Sequence, residues 1–66
     1  MNEELRQVVL KRALAEGPQY AGSGYGAVYE EMMLAYSAGQ FVLIERGGVA
    51  YMAITQKGID AIEVAS

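Results

Sequence analysis

The chain has 66 residues, five Lys or Arg against eight Asp or Glu for a net charge of −3, 53% hydrophobic residues, and neither Cys nor His. That length bounds it to one small domain, residues 1–66, burying roughly 60% of its unfolded surface; with no Cys or His, a disulfide is excluded and a structural zinc site has no plausible ligands. The acidic balance argues against strong capture of nucleic acid by a single copy, because phosphate binding draws on cations.

Residues 2–16 read as a first helix. Asn2 is a good N-cap, and Glu3 and Glu4 sit where the helix dipole favours negative charge. At about 100° per residue, Leu5, Val9, Leu10, Ala13 and Leu14 share a broad apolar arc, while Gln7 and Lys11 face away. Gly17-Pro18 stops the helix. The Met-Asn-Glu-Glu-Leu-Arg start has no basic region followed by an apolar core, so no signal peptide is expected. No apolar run approaches the ~20 residues that span a bilayer. The expected location is the cytoplasm, with no membrane partner.

Residues 17–26, Gly-Pro-Gln-Tyr-Ala-Gly-Ser-Gly-Tyr-Gly, read as the only long loop, either ordered through Tyr20 and Tyr25 or mobile. A second helix is expected over 27–38, with Val28, Met32, Ala35 and Tyr36 on one face and Tyr29 at its edge. Glu30, Leu34 and Ser37 fall on the other side, and Gly39 is a plausible C-terminal stop. Two apolar runs, about 41–46 and 49–54, flank Gly47-Gly48, a pair suited to the positive φ angles of a two-residue hairpin turn. A last helix over about 56–64 follows, with Thr55 as N-cap and Ile59 and Ile62 packing inward. No internal repeat, low-complexity tract or second domain is present.

With Gly47-Gly48 as the turn, Arg46 lies opposite Val49 and Phe41 opposite Ile54. Alternation then puts Phe41, Leu43, Met52 and Ile54 on one face. These are expected to pack against Val9, Ala13, Met32 and Ile59. The other face holds Val42, Ile44, Tyr51 and Ala53, with Arg46 and Val49 at the tip. A hairpin with one solvated face alternates apolar and polar residues; this one is apolar on both. Either helices cover both faces, or Val42 and Tyr51 tolerate solvent, or Val42, Ile44 and Tyr51 form a contact surface for another chain. Among the five tyrosines, Tyr20 and Tyr25 are the best candidates for exposed anchors, since Tyr joins a large contact area to a polar tip.

Chemistry finds little support. Gly22-Ser23-Gly24-Tyr25-Gly26 precedes a helix, as a phosphate loop would, yet it matches neither the Walker nor the dinucleotide spacing and reads better as a connector. Adjacent Glu30 and Glu31 point about 100° apart with no third ligand, which favours a solvated helix face over acid–base or metal chemistry. Met32-Met33 reads as core filler rather than a binding groove. Ser23 and Ser37 have no histidine to activate them, although a Lys base is chemically possible. No catalytic residue, metal or cofactor is expected, and the chain does not read as an enzyme.

The run from Phe41 to Ile62, closing on Ile54-Thr55-Gln56-Lys57-Gly58, resembles the wing and closing helix of winged helix-turn-helix domains. In that family a strand ending in a Leu/Ile-Thr-x-x-Gly step leads into a helix. The similarity covers about residues 27–64, with residues 2–16 as a first helix, and implies an α+β fold of helix, helix, β-hairpin and helix. The family places another short helix near 17–26, where this chain has four glycines and little room. In the family, the helix before the wing commonly enters the major groove and the wing tip touches the backbone or minor groove. By position these would be residues 27–38 and Arg46-Gly47-Gly48, with Lys11, Arg12 and Lys57 as further nucleic-acid contacts. The helix here offers Glu30 and Glu31 and no Lys or Arg, and it lacks the donors that Arg brings to guanine. Many winged-helix domains serve protein–protein contact instead.

Three functional readings follow. The first is a small winged-helix-like interaction module, alone or as a homodimer, that regulates or inhibits a larger protein partner. The second is a DNA-binding transcriptional regulator acting as a dimer, which the charge disfavours. The third is a compact acidic inhibitor of the phage type, directed at host or defence machinery.

Overall fold

The computed structural model describes residues 2–21 and 26–63. In chain order these form α1 (Glu3–Glu16), β1 (Gln19–Tyr20), α2 (Gly26–Ser37), β2 (Phe41–Arg46), β3 (Val49–Ile54) and α3 (Gln56–Asp60). The strands make one antiparallel sheet of order β1-β3-β2. Its core side chains, Phe41 and Met52 with partly buried Ile54, all lie on one face, against Val9, Leu10 and Ala13 of α1 and Met32 and Ala35 of α2. The α+β class is therefore observed, as is the hairpin register, from Phe41 opposite Ile54 to Arg46 opposite Val49. Gly47 and Gly48 close the turn with φ of 57° and 81°, the doubly positive geometry of a type I′ hairpin.

Several expectations need correction. The stretch 17–26 is not only loop: Gln19 and Tyr20 pair with Met52 and Tyr51, making the sheet three-stranded. A two-residue strand is too short to show alternation, so periodicity could not reveal it. Residues 22–25, and with them Tyr25 and the Gly-rich connector, lie outside the described residues. The last helix stops at Asp60, capped by Thr55, rather than running to 64. Ala61 and Ile62 beyond it pack on the core, whereas Ile59 is half-buried and is not among the side chains packed there.

Side-chain burial departs from the arcs as well. Leu14 is exposed: it lies about 140° around α1 from Val9, and it is not among the side chains packed on the core. Gln7 does not face away. Its amide donates to the Ala61 carbonyl at 2.9 Å and accepts from the Glu63 N–H at 2.8 Å, tying α1 to the chain after α3. On α2 the buried residues are Glu31, Met32 and Ala35, while Val28 and Tyr36 are exposed. Leu43 lies on the core face by register yet remains 49% exposed, so the helices stop short of it.

Glu31 is the largest departure. It is buried, and its Oε1 accepts from Arg6 Nε at 3.0 Å while Oε2 accepts from the Asn2 N–H at 3.1 Å. Arg6 also donates to the Gln40 side-chain oxygen at 3.0 Å. The pair, with side-chain exposures of 12% and 5%, joins α1 to α2 at the edge of the apolar core. A buried pair is weak evidence for net stability, but removing one partner strands a charge in a poorly hydrated place.

The Thr-x-x-Gly step has a steric basis. The Thr55 hydroxyl donates to the Gly39 carbonyl at 2.7 Å and accepts from the Gly58 N–H at 3.1 Å, while the Thr55 N–H donates to the Gln40 carbonyl at 3.0 Å. Gly58 is buried where α3 presses on the main chain: a methyl there would overlap the Gln40 carbonyl oxygen and stand 2.7 Å from Ile54 Cγ1.

Two stability predictions follow from these contacts. In an open helix Gly→Ala gains up to ~1 kcal/mol; Gly58→Ala is expected to lose about 1–3 kcal/mol, because backbone cannot yield as a side chain does. Thermal melting should fall by about 4–8 °C for each kcal/mol lost in a domain of this size, and an unchanged or raised Tm would refute the close approach. Arg6→Met alone should cost about 3–5 kcal/mol, whereas Arg6→Met with Glu31→Leu should cost far less or nothing. Urea unfolding of both variants tests this, and additive losses would show that the two residues act independently.

Candidate functional site

The face of the sheet turned away from the helices is built by alternation on all three strands. Tyr20 stands opposite Tyr51, and Tyr51 opposite Ile44, so one row of large side chains crosses β1, β3 and β2. The Tyr20 and Tyr51 rings meet edge-to-face, with centroids 6.2 Å apart and planes at 63°, within the range of favourable aromatic pairs. Val42 and Ala53 form the next row and Arg46 and Val49 the row at the hairpin tip. Tyr20 is 63% and Val42 46% exposed, Val49 is exposed, and Ile44, Tyr51 and Ala53 are half-buried. The described side chains that pack over the sheet do so on the opposite face, around Phe41 and Met52.

The sequence placed Val42, Ile44 and Tyr51 together, and the register does bring them onto one face. Tyr20, expected as a loop anchor, joins the same row through β1. Tyr25 lies outside the described residues. Val49, which the alternation put at the tip, extends the apolar surface to the turn. Arg46 is the one charged side chain that the pairing puts on this face among the described residues, and it stands at the rim.

The cationic candidates are dispersed. Arg46 is at the turn and Lys57 follows the far end of the hairpin, where its side chain lies over Gly39. Five residue steps at about 3.3 Å each separate the two ends of β2, roughly 17 Å. Lys11 and Arg12 belong to α1, which packs on the other side of the sheet. Lys11 borders a shallow depression with Glu3, Glu4 and Glu63, and Arg12 lies 3.7 Å from Glu16. Arg6, the remaining cation, is engaged by Glu31. Among the described residues no cluster of three or more Asp or Glu could hold a metal ion. None of the described helices is long and apolar enough to cross a membrane.

The chain matches no protein-family model, no curated protein and no solved structure. The candidate site therefore rests on its own geometry: an apolar sheet face with an aromatic pair at one side and, among the described residues, a single cation at the rim.

Scattered cations beside carboxylates predict feeble nucleic-acid binding. In fluorescence anisotropy with random duplex at low salt, no saturation is expected below about 10 μM protein. Submicromolar affinity that weakens steeply with added salt would contradict this charge distribution.

Proposed function

We infer that the protein is a non-enzymatic, winged-helix-like interaction module that regulates or inhibits a larger protein partner through the outer face of its sheet. The observation that carries this reading is the apolar row Tyr20, Tyr51 and Ile44 with flanking Val42 and Val49, of which Tyr20, Val42 and Val49 are exposed and Tyr51 and Ile44 half-buried. Contiguous apolar side chains on a sheet face gain from burial against another molecule. Tyrosines suit such a surface, because they supply contact area with few rotors to fix. The charge-poor centre and the lone cation at the rim follow the usual anatomy of a protein interface.

The winged-helix likeness is supported by the order α2, hairpin, α3 and by the Ile54-Thr55-Gln56-Lys57-Gly58 step, whose contacts turn the chain from β3 into α3. A DNA-reading role draws no comparable support. α2 carries no cation, and one of its two glutamates is committed to Arg6.

Tyr20→Ser combined with Tyr51→Glu is expected to leave the fold intact, since neither side chain belongs to the core, and to abolish capture of the partner. Tagged wild type and variant would be compared in pull-downs from the native host, with circular dichroism as the folding control. A folded variant that retains the same partner would remove the face from consideration. A wild type that retains none would remove the module reading itself.

A further inference from the structure

We propose that β2 is a homodimerisation edge, through which two copies of the chain join their sheets by antiparallel pairing of Leu43–Glu45. The inference goes beyond the outer-face reading and does not depend on it.

The phase of the ladder comes first. The Thr55 N–H donates to the Gln40 carbonyl, so Gln40 and Thr55 form a hydrogen-bonded pair. In an antiparallel ladder such pairs alternate with non-bonded ones. Val42, Ile44 and Arg46 therefore turn their main-chain groups toward β3, and Phe41, Leu43 and Glu45 turn theirs outward. Since β2 has β3 as its single neighbour in the sheet, those outward groups lie on a free edge. No described residue hydrogen-bonds to them.

Natural edges are commonly guarded by a lysine, a proline or a bulge. β2 has no lysine, proline or bulge and runs in unbroken register with β3, and its two charged residues, Glu45 and Arg46, are confined to the turn end. Access differs along the strand. Phe41 is 2% exposed, so its edge groups are covered, whereas Leu43 and Glu45 are open. The open edge offers four main-chain groups, the N–H and C=O of Leu43 and of Glu45.

These facts select one two-fold register. Centring the pair on Leu43 would require the covered groups of Phe41. Centring it on Glu45 would set two glutamates opposite each other, which is unfavourable. Centring it on Ile44 pairs Leu43 with Glu45 of the second copy and uses all four groups of each chain. Four hydrogen bonds result, in which each Leu43 N–H donates to a Glu45 carbonyl and each Glu45 N–H to a Leu43 carbonyl. Ile44 then meets its own copy, Val42 lies beside the Arg46 stem, and Leu43 lies beside the Glu45 stem, so no like charges face one another. The pairing also lays the Glu45 stem of the second copy beside exposed Leu43, at the end of the core face that the helices do not reach. The contact is isologous and closes at two copies. It makes one six-stranded sheet with the two outer faces continuous. A longer extended peptide would again need the covered groups of Phe41, which is why a second copy fits this short edge better.

The decisive variant is Leu43→Pro. Its lost N–H points away from β3, so the hairpin ladder survives, while two of the four intermolecular bonds are lost and two carbonyls are left unpaired. Sedimentation equilibrium should show a wild-type dimer and dissociation strengthened by roughly 100-fold or more in the variant. Amide exchange in the wild type should show Leu43 and Glu45 gaining protection as concentration rises. Should Leu43→Pro fail to fold, that exchange measurement decides alone. A wild type that stays monomeric at millimolar concentration, a folded variant that still dimerises, or concentration-independent exchange at both amides would each overturn the proposal. The Tyr20→Ser, Tyr51→Glu variant should still dimerise, which separates the edge from the outer face.

Discussion

Gln40 lies between α2 and β2 and directs its N–H, its carbonyl and its side-chain oxygen to three different parts of the fold. Its N–H closes α2 by donating to the Ala35 carbonyl at 2.9 Å, and its carbonyl accepts the Thr55 N–H at the base of the hairpin. Its side-chain oxygen accepts from Arg6 on α1. Gly58 of α3 rests on the same carbonyl with no room for a methyl. Three helices and two strands thus converge on one residue. The core is correspondingly small, seven buried apolar side chains among the described residues, and apolar burial alone fixes few relative orientations. Hydrogen bonds at this corner fix them, because an unmet donor or acceptor there costs more than a shifted methyl group.

The buried Arg6–Glu31 pair belongs to the same logic. At about 100° per residue Arg6 falls between Val9 and Leu10, inside the apolar arc of α1. An arginine there needs a carboxylate, and Glu31 lies within about 40° of Ala35 on the buried side of α2. The signal was present in the sequence as a cation on an apolar face. It was obscured by reading Glu30 and Glu31 together as a solvated pair, when adjacent helical positions can have opposite fates.

Legibility elsewhere followed the range of the interactions involved. Asn2, Glu3 and Glu4 disclose the start of α1 because capping is local; the Asn2 side chain accepts from the Leu5 N–H. The turn and register of the hairpin were legible because Gly47-Gly48 and alternation over six residues per strand constrain one another. β1 was not, since two residues carry no period and their pairing with β3 depends on a distant strand. The course of the chain beyond Asp60 was not legible either, since it is held by Gln7, fifty-four positions from the Ala61 carbonyl to which it donates. The candidate face was half legible: Val42, Ile44 and Tyr51 by alternation, Tyr20 only once β1 was in place. Leu43 could not be judged from alternation, which names a face but not how far the helices reach across it.

The composition of the outer face is hard to attribute to folding. β-branched and aromatic residues favour strands, but Thr does so too, and it is well solvated. The chain nevertheless uses Thr once, at the cap of α3, and fills the outer positions with Tyr, Val, Ile and Ala. Exchanging exposed Val42 or Val49 for Thr would leave the core untouched, since neither contributes to it. Surface changes of that kind usually lie within about 0.5 kcal/mol of neutral. Stability therefore places little demand on these side chains, while solubility argues against them. The edge of β2 presents the same imbalance, with an apolar run where a lysine would protect the strand at small cost. Both features become favourable once another surface removes them from water, at about 25 cal/mol for each Å² of apolar area buried. A face and an edge that share one strand can be covered in succession: pairing through Leu43–Glu45 lies in the plane of the sheet, and docking on Tyr20, Tyr51 and Val42 lies perpendicular to it, so neither contact obstructs the other.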